Sequence, residues 1–451
     1  MTKETVKKIL IISHDKIGKN MAGPGIRYHH MAELLSLSFD VTVGFFDPTY
    51  LPDDRFKRSY SIEHVDKGNF RQSFEDKDVV IAMWLSEEMM NNCNDNDIYI
   101  VFDVYAPVPV ENLALFMLGG DTVTTDTDYS YRQSYNLYSK FFQYGDLFLF
   151  SNKRQLDFWI GYVFGSGVVS VSGYLERALF DRFILSPMGI DGSKVIKKSA
   201  PAIRDIIKGI SKDDKVLVWT GGIWNWFDAK TLIQTMAIIG EVRPDIKLVF
   251  FGTKHPNPDV PAMKEASDAL SLASELGVLN KNVFIHEGWV PYEERINYLL
   301  EADVAINTTK DSIESEFAHR TRVLDHILAG LPTIATAGDY LSDDVIEQDG
   351  IGIVVPPADI EALSNAIYNC LDTSNNKRMR ANIVRVRKKY DWGKTLGSLQ
   401  KALDGDLTKL PFVRFKKHRE MPKDNIIYKV AKRLLPRRIK SMIVGAFRYG
   451  R

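Results

Sequence analysis

The densest set of chemistry-bearing residues in this 451-residue chain runs Glu314-Ser-Glu316-Phe-Ala-His-Arg320-Thr321-Arg322-Val-Leu-Asp325-His-Ile-Leu-Ala-Gly330-Leu-Pro332. The apolar spacing predicts a helix that begins near Ala318, runs to Ala329, is stopped by Gly330 and hands over to a strand at Pro332. Glu316 precedes this helix, Arg320 and Arg322 lie in its first half with Thr321 between them, and Asp325 follows about two turns on. Guanidinium groups and a helix N-terminus oppose phosphate charge, while carboxylates accept hydrogen bonds from hydroxyls, so the segment suits a sugar diphosphate. The competing reading is a surface helix laced with Arg to Glu pairs.

Three glycine-bearing loops follow predicted strands. Gly18-Lys-Asn-Met-Ala-Gly23-Pro24-Gly25-Ile26-Arg27 lacks the Lys-Ser/Thr of a P-loop and the third glycine of a dinucleotide fingerprint, which demotes nucleotide hydrolysis and dehydrogenase chemistry. It remains a Gly/Pro loop that opens a helix near Ile26, with Gly25 a candidate for close approach of a ligand. Gly221-Gly222-Ile-Trp224-Asn-Trp226-Phe-Asp228 allows backbone to approach a ligand, with Asp228 capping the next helix. The tryptophans suit packing as readily as a sugar or base platform. In Glu287-Gly288-Trp289-Val290-Pro291-Tyr292 the backbone can read a nucleobase edge.

Asp103, at the carboxyl end of a predicted strand, is placed to orient an acceptor hydroxyl or take its proton, or else to bond its own turn. His29 and His30 have no third ligand at metal spacing, and Asp126-Thr-Asp128 reads as a turn, so no metal site is expected.

These residues need a scaffold, and the chain supplies alternating β-branched runs and longer helical patterns, an α/β signature. Strands are expected at Lys8–Ser13, Val41–Phe46, Val79–Met83, Ile98–Phe102, Leu147–Phe150 and Val168–Val171. A second series covers Lys215–Trp219, Lys247–Phe251, Asn282–His286, Asp303–Asn307, Pro332–Thr336 and Gly352–Val355. Two doubly wound parallel sheets, over residues 1–188 and 189–408, would face each other across a cleft at their strand ends.

With 45% apolar and 26% charged residues the chain is ordinary globular protein, excluding collagen-like and disordered classes. The 58 basic and 58 acidic residues cancel, yet residues 409–451 carry 14 Lys/Arg against two acids, leaving an acidic body of 44 basic and 56 acidic groups. The basic tail places Ile426, Ile427, Val430 and Leu434, then Ile439, Met442, Ile443 and Phe447, at helical spacing. It is expected to bind an anionic membrane surface, or alternatively a partner protein or another copy of the chain. Nucleic acid is not an expected partner. Cys93 and Cys370 are too few for a disulfide framework, and neither a secretory signal nor a membrane span is evident, which fits a cytoplasmic protein peripheral to the membrane.

In this order the pieces resemble two-domain retaining glycosyltransferases of the GT-B fold, family 4, in a bacterial cell-surface glycan subgroup. The resemblance spans about Lys8 to Ala402. It rests on Gly-Gly-Ile-Trp from Gly221, Phe-Gly-Thr-Lys-His-Pro from Phe251, Glu-Gly-Trp-Val-Pro-Tyr-Glu-Glu-Arg from Glu287, and Arg-Thr-Arg-Val-Leu-Asp before Ala-Gly-Leu-Pro. It implies an acceptor domain at 1–188, a donor domain at 189–408 whose final helix crosses back, and transfer of a hexose from a nucleotide-diphosphate sugar to a glycan or lipid-linked acceptor. The donor is a substrate, and no cofactor or metal is implied. Of the family's two glutamates seven residues apart, the second matches Asp325, at the ribose, and the first Glu316, at the donor sugar; here eight residues separate them, with Glu314 as fallback. Ile223 stands where the family usually has a basic residue, so charge and placement assign the phosphate clamp to Arg320 and Arg322. A sugar-nucleotide epimerase and a non-catalytic partner subunit are the alternatives on the same scaffold.

Overall fold

The structure is a computed structural model that describes residues 6–47, 50, 56–119, 123–169, 181–194, 196–253, 263–286, 288–405 and 407. The basic tail at 409–451 and the Lys254 to Pro256 portion of the predicted loop lie outside the described residues, as does Glu287.

Two parallel sheets form the scaffold. The first contains β1 (Lys8–Ser13), β2 (Asp40–Phe45), β3 (Ser61–His64), β4 (Val79–Ala82), β5 (Tyr99–Asp103), β6 (Leu147–Phe150) and β7 (Phe183–Leu185), in the order β3-β2-β1-β4-β5-β6-β7. The second contains β8 (Lys215–Thr220), β9 (Ile246–Phe251), β10 (Val283–Ile285), β11 (Val304–Asn307), β12 (Thr333–Thr336) and β13 (Gly352–Val355), in the order β10-β9-β8-β11-β12-β13. Each order reverses direction once, between β1 and β4 and between β8 and β11, so two connections diverge and open a crevice at the strand carboxyl ends.

The β-branched runs form strands because helices cover both faces of each sheet. In β8, Leu217 and Trp219 enter the core on one side, and Val216 and Val218 the core on the other, as a pleated strand requires. All residues of β4, β6, β11 and β12 are buried. Two edge strands were not expected. Ser61–His64 is short and polar but for Ile62, and Phe183–Leu185 has only three residues, so neither shows a run long enough to stand out. Of the strand expected at Val168–Val171, the first two residues are not in a strand and the other two lie outside the described residues.

The chain returns to the first sheet at its end. Ile190 N–H donates to the Tyr390 carbonyl at 2.8 Å, and Trp392 N–H donates to the Ile190 carbonyl at 3.1 Å. Leu399 and Leu403, on the Gly397–Asp404 helix, join the core that holds Ile9 and Ile11. Lys7 Nζ donates to the carbonyls of Leu403 and Gly405, both at 2.6 Å. A second tie is Arg154, on the first domain, which donates to the Gly338 carbonyl at 2.8 Å and to Asp343 and Asp344 at 2.9 and 3.0 Å.

Candidate active site

The two crevices open onto one cavity of about 500 Å³. One wall comes from the first sheet: Met21 to Pro24 and Ile26 after β1, Tyr105 to Pro107 after β5, and Glu111 and Leu115 on the Val108–Gly119 helix. The other comes from the second: Gly221 and Gly222 after β8, Gly252 after β9, Trp289 beyond β10, and the segment His319 to Leu328 after β11.

Gly221 and Gly252 bring two loops together. Their φ angles are +80° and +72°, and a Cβ on Gly252 would lie 3.4 Å from the Gly221 Cα, so side chains would both strain the backbone and fill the gap. The next helix, Ala229–Val242, is capped as expected, with Thr231 N–H donating to Asp228 Oδ1 at 3.0 Å. Trp224 and Trp226 lie in the loop between, stacked with ring centres 5.1 Å apart, and both line the cavity.

The two arginines separate. Arg320 is buried and gives both Nη groups to Glu314, at 2.9 and 2.6 Å, and a third bond to Ser315 Oγ at 3.1 Å. Its charge is therefore cancelled. Arg322 lines the cavity, donates from Nη2 to the Gly222 carbonyl at 2.7 Å, and lies 3.8 Å from the Phe227 ring centre. Its Nη1 is buried with no hydrogen-bond partner, and no carboxylate among the described residues pairs with it. Burial, and secondarily the nearby Arg320, push its pKa down to about 9. An uncompensated cation of this kind favours an anion beside it.

Solved structures of similar fold identify the architecture. Anabaena HepE, solved in complex with UDP and glucose, superposes with a TM-score of 0.62 at 15% identity, covering 88% of this chain and 99% of that one. Sucrose-phosphate synthase from Thermosynechococcus elongatus gives 0.62 at 16%, with 88% and 99% covered. WaaG, a glycosyltransferase of lipopolysaccharide biosynthesis, gives 0.58 at 15%, with 88% and 100% covered. The fold is GT-B. Residues 214–373, which form the second wall of the GT-B cleft, match the family model Glycosyl transferases group 1. No curated protein matches the chain by sequence.

Within the GT-B cleft the remaining predicted residues fall into two groups. Thr321, Arg322, Asp325, Gly221, Gly222 and Trp289 line it. Asp325 is held by Arg295, with Nε to Oδ2 at 3.1 Å and Nη2 to Oδ1 at 2.9 Å. It lies in the first turn of a helix that starts at Arg322 rather than Ala318, because Ala318 is extended and breaks the run. Gly330 ends that helix in the left-handed region at φ 73°, as expected.

Asp103, Glu316 and Gly25 do not line the cleft. Asp103, expected to face an acceptor hydroxyl, is 0% exposed and receives two bonds from Arg27, from Nε at 2.6 Å and Nη2 at 2.8 Å. Glu316 is exposed, on the Ile313–Phe317 helix; two residues apart on a helix is about 200°, so burying Glu314 turns Glu316 outward. Gly25 packs beneath the loop, where a Cβ would lie 2.3 Å from the Lys16 carbonyl oxygen. Gly25→Ala will therefore destabilise the protein by about 1–3 kcal/mol in a urea titration, through displaced backbone.

His29 and His30 have packing roles: His29 Nδ1 meets Tyr60 Oη at 2.9 Å, and His30 stacks on Trp392 with Nε2 2.8 Å from Tyr292 Oη. Asp126 and Asp128 occupy the first turn of the Thr124-capped helix Thr125–Tyr144, not a turn between elements. Among the described residues no group of three His, Cys, Asp or Glu is placed to hold a metal, and no helix is long and apolar enough to cross a membrane.

Sequence reasoning did not single out two lining residues. His319 has neither ring nitrogen hydrogen-bonded, and burial, then Arg27, hold it neutral with a pKa of about 3. Glu111 sits one turn into its helix, and burial pushes its carboxyl up to about 7. His319 lies within the Glu314 to Pro332 run but does not stand out beside its charged neighbours; Glu111 belongs to no motif, and only the packing of the Val108–Gly119 helix against Ile313–Phe317 aims it at the cleft.

Proposed function

We propose that this protein is a glycosyltransferase that moves a hexose from a nucleotide-diphosphate sugar to a cell-surface glycan or lipid-linked acceptor, with retention of anomeric configuration, as a family 4 enzyme. The observation that carries the reading is Arg322: a half-buried cation with no carboxylate and a buried, unbonded Nη1, beside the Gly221–Gly222 backbone and inside the segment that matches a glycosyltransferase family. A diphosphate placed there would meet Nη1 and the turn of glycine backbone.

In the reaction, the bond between the anomeric carbon and the diphosphate oxygen breaks and negative charge grows on the departing phosphate, which Arg322 stabilises. The acceptor oxygen bonds to the same face of that carbon, and its proton passes to the diphosphate. Asp325, already oriented by Arg295, offers its remaining lone pairs to the ribose. Catalysis so arranged rests on charge stabilisation and proximity, and draws on no metal ion. The acceptor belongs to the 1–188 side and the donor to the 189–408 side, with the basic 409–451 tail on the inner face of an anionic membrane.

Incubation with a panel of nucleotide-diphosphate sugars tests the reading. Slow hydrolysis of one donor without added metal, and a product that keeps the donor's anomeric configuration by NMR, are the expected results. Inversion at C2 would instead make the protein an epimerase, and failure to bind any nucleotide diphosphate would leave a partner subunit.

A further inference from the structure

The charged residues lining the cleft are not equivalent once their partners are traced. Asp191 pairs with Lys194 at 3.0 Å, and Asp325 with Arg295 at 2.9 Å. Among the described lining residues, that leaves two charges without an ion pair: Arg322 on the second wall and Glu111 on the first. The cleft is thus polarised across its width. The first wall carries no cation among its described lining residues; besides Glu111 it contributes Ile26, Met83, Tyr105, Pro107 and Leu115 to the lining.

Glu111 is also fixed in place. Its N–H, with that of Val110, donates to the Pro107 carbonyl at 3.0 and 2.8 Å, so the residue sits in a rigid first turn directly after the strand-end loop. Its carboxylate makes no hydrogen bond or ion pair among the described residues. Arg320 is the cation that acts on it, but both Nη groups of that guanidinium are taken by Glu314. The hydrogen-bonding capacity of Glu111 is left for whatever enters the first wall.

Resting on the glycosyltransferase reading, we infer that the first wall is an acceptor subsite for a neutral or amino-bearing sugar ring, which Glu111 holds by its hydroxyl or ammonium group and from which it repels carboxylate- or phosphate-bearing rings. An apolar floor with one carboxylate receives a hydroxylated ring well, since the ring's C–H face packs on Tyr105, Pro107 and Leu115 while a hydroxyl donates to Glu111. A second carboxylate in the same partly desolvated space would be repelled, at about 10- to 100-fold in selectivity.

The groups that face Glu111 are Glu314 and Arg320 from the second domain, Tyr105 from its own loop and Tyr138 from the Thr125–Tyr144 helix. Burial foremost, with Glu314 adding and Arg320 opposing, brings the carboxyl to about 7. Rejection of acidic rings is therefore full near pH 8, where Glu111 is ionised, and fades as pH falls to 6 and it protonates.

The test uses the full chain with the intact nucleotide-diphosphate sugar that it is found to hydrolyse and an equimolar mixture of aryl glucoside, glucosaminide and glucuronide, the products being counted by mass spectrometry. Neutral and amino products should exceed the glucuronide product by about 10-fold or more at pH 8, less at pH 6, and Glu111→Gln should bring the ratio near one at both. Equal or preferred glucuronide transfer by the wild type, or an unchanged ratio in Glu111→Gln, overturns the subsite. Calorimetry with nucleoside diphosphates separates the levels: absent binding removes the glycosyltransferase reading and the subsite with it, whereas normal binding with no discrimination removes the subsite alone.

Discussion

Arg322→Met will reduce nucleotide-diphosphate affinity by about 10²- to 10³-fold, while the unliganded variant will be at least as stable as the wild type. The two halves of this result have one cause. Arg322 is half-buried without a carboxylate, and desolvation lowers its pKa to about 9, so the fold disfavours its charge. For a base with a lowered folded pKa, the cost to stability is fully present below pH 9 and fades as pH rises toward the ordinary guanidinium range. Methionine removes that cost and keeps most of the volume. A bound diphosphate repays it, so the same substitution removes the reason to bind. Affinity should also fall in the wild type as pH climbs through 9.

Arg320→Met provides the contrast. Its partner Glu314 is 1% exposed and would be left as a buried, unpaired carboxylate, at a cost of about 3–5 kcal/mol. Thermal denaturation and calorimetry on both variants separate the roles. If Arg320→Met proved stable and lost binding while Arg322→Met bound normally, the assignment of the phosphate clamp would be reversed.

Asp103→Ala will destabilise the protein by about 3–5 kcal/mol, because it strands Arg27, also 0% exposed, in the core of the first domain. Asp103→Asn keeps a partner for one of the two bonds and should fall between. Nucleotide-diphosphate binding by the fraction that remains folded is expected to match the wild type, since Asp103 does not line the cleft. Urea denaturation gives the stability and calorimetry the binding. A variant as stable as the wild type yet unable to transfer sugar would restore Asp103 to the chemistry.

Much of the scaffold was legible in the residues. Continuous β-branched runs such as Lys215–Thr220 and Ile246–Phe251 form strands because a parallel sheet covered on both faces accepts apolar side chains on each. Asp228 and Gly330 bound their helices for local reasons, a side chain that accepts a backbone N–H and a backbone that tolerates positive φ. Short edge strands escaped notice because three or four residues, half of them exposed, show no period.

By itself the sequence determined which segments form the two sheets, where their loops emerge, and that arginines, glycines and carboxylates gather on those loops. These follow from interactions within a few residues. Only the tertiary structure decided which of the charges remain available. Arg320 and Arg322 are alike in type and two positions apart, yet one meets Glu314 and the other the Gly222 carbonyl, 100 residues away in sequence. Asp103 meets Arg27 across 76 residues and does not line the cleft, while Glu111, in no motif, lines it without an ion-pair partner. Charge neutralisation is set by distance in space, and a linear pattern carries no record of it.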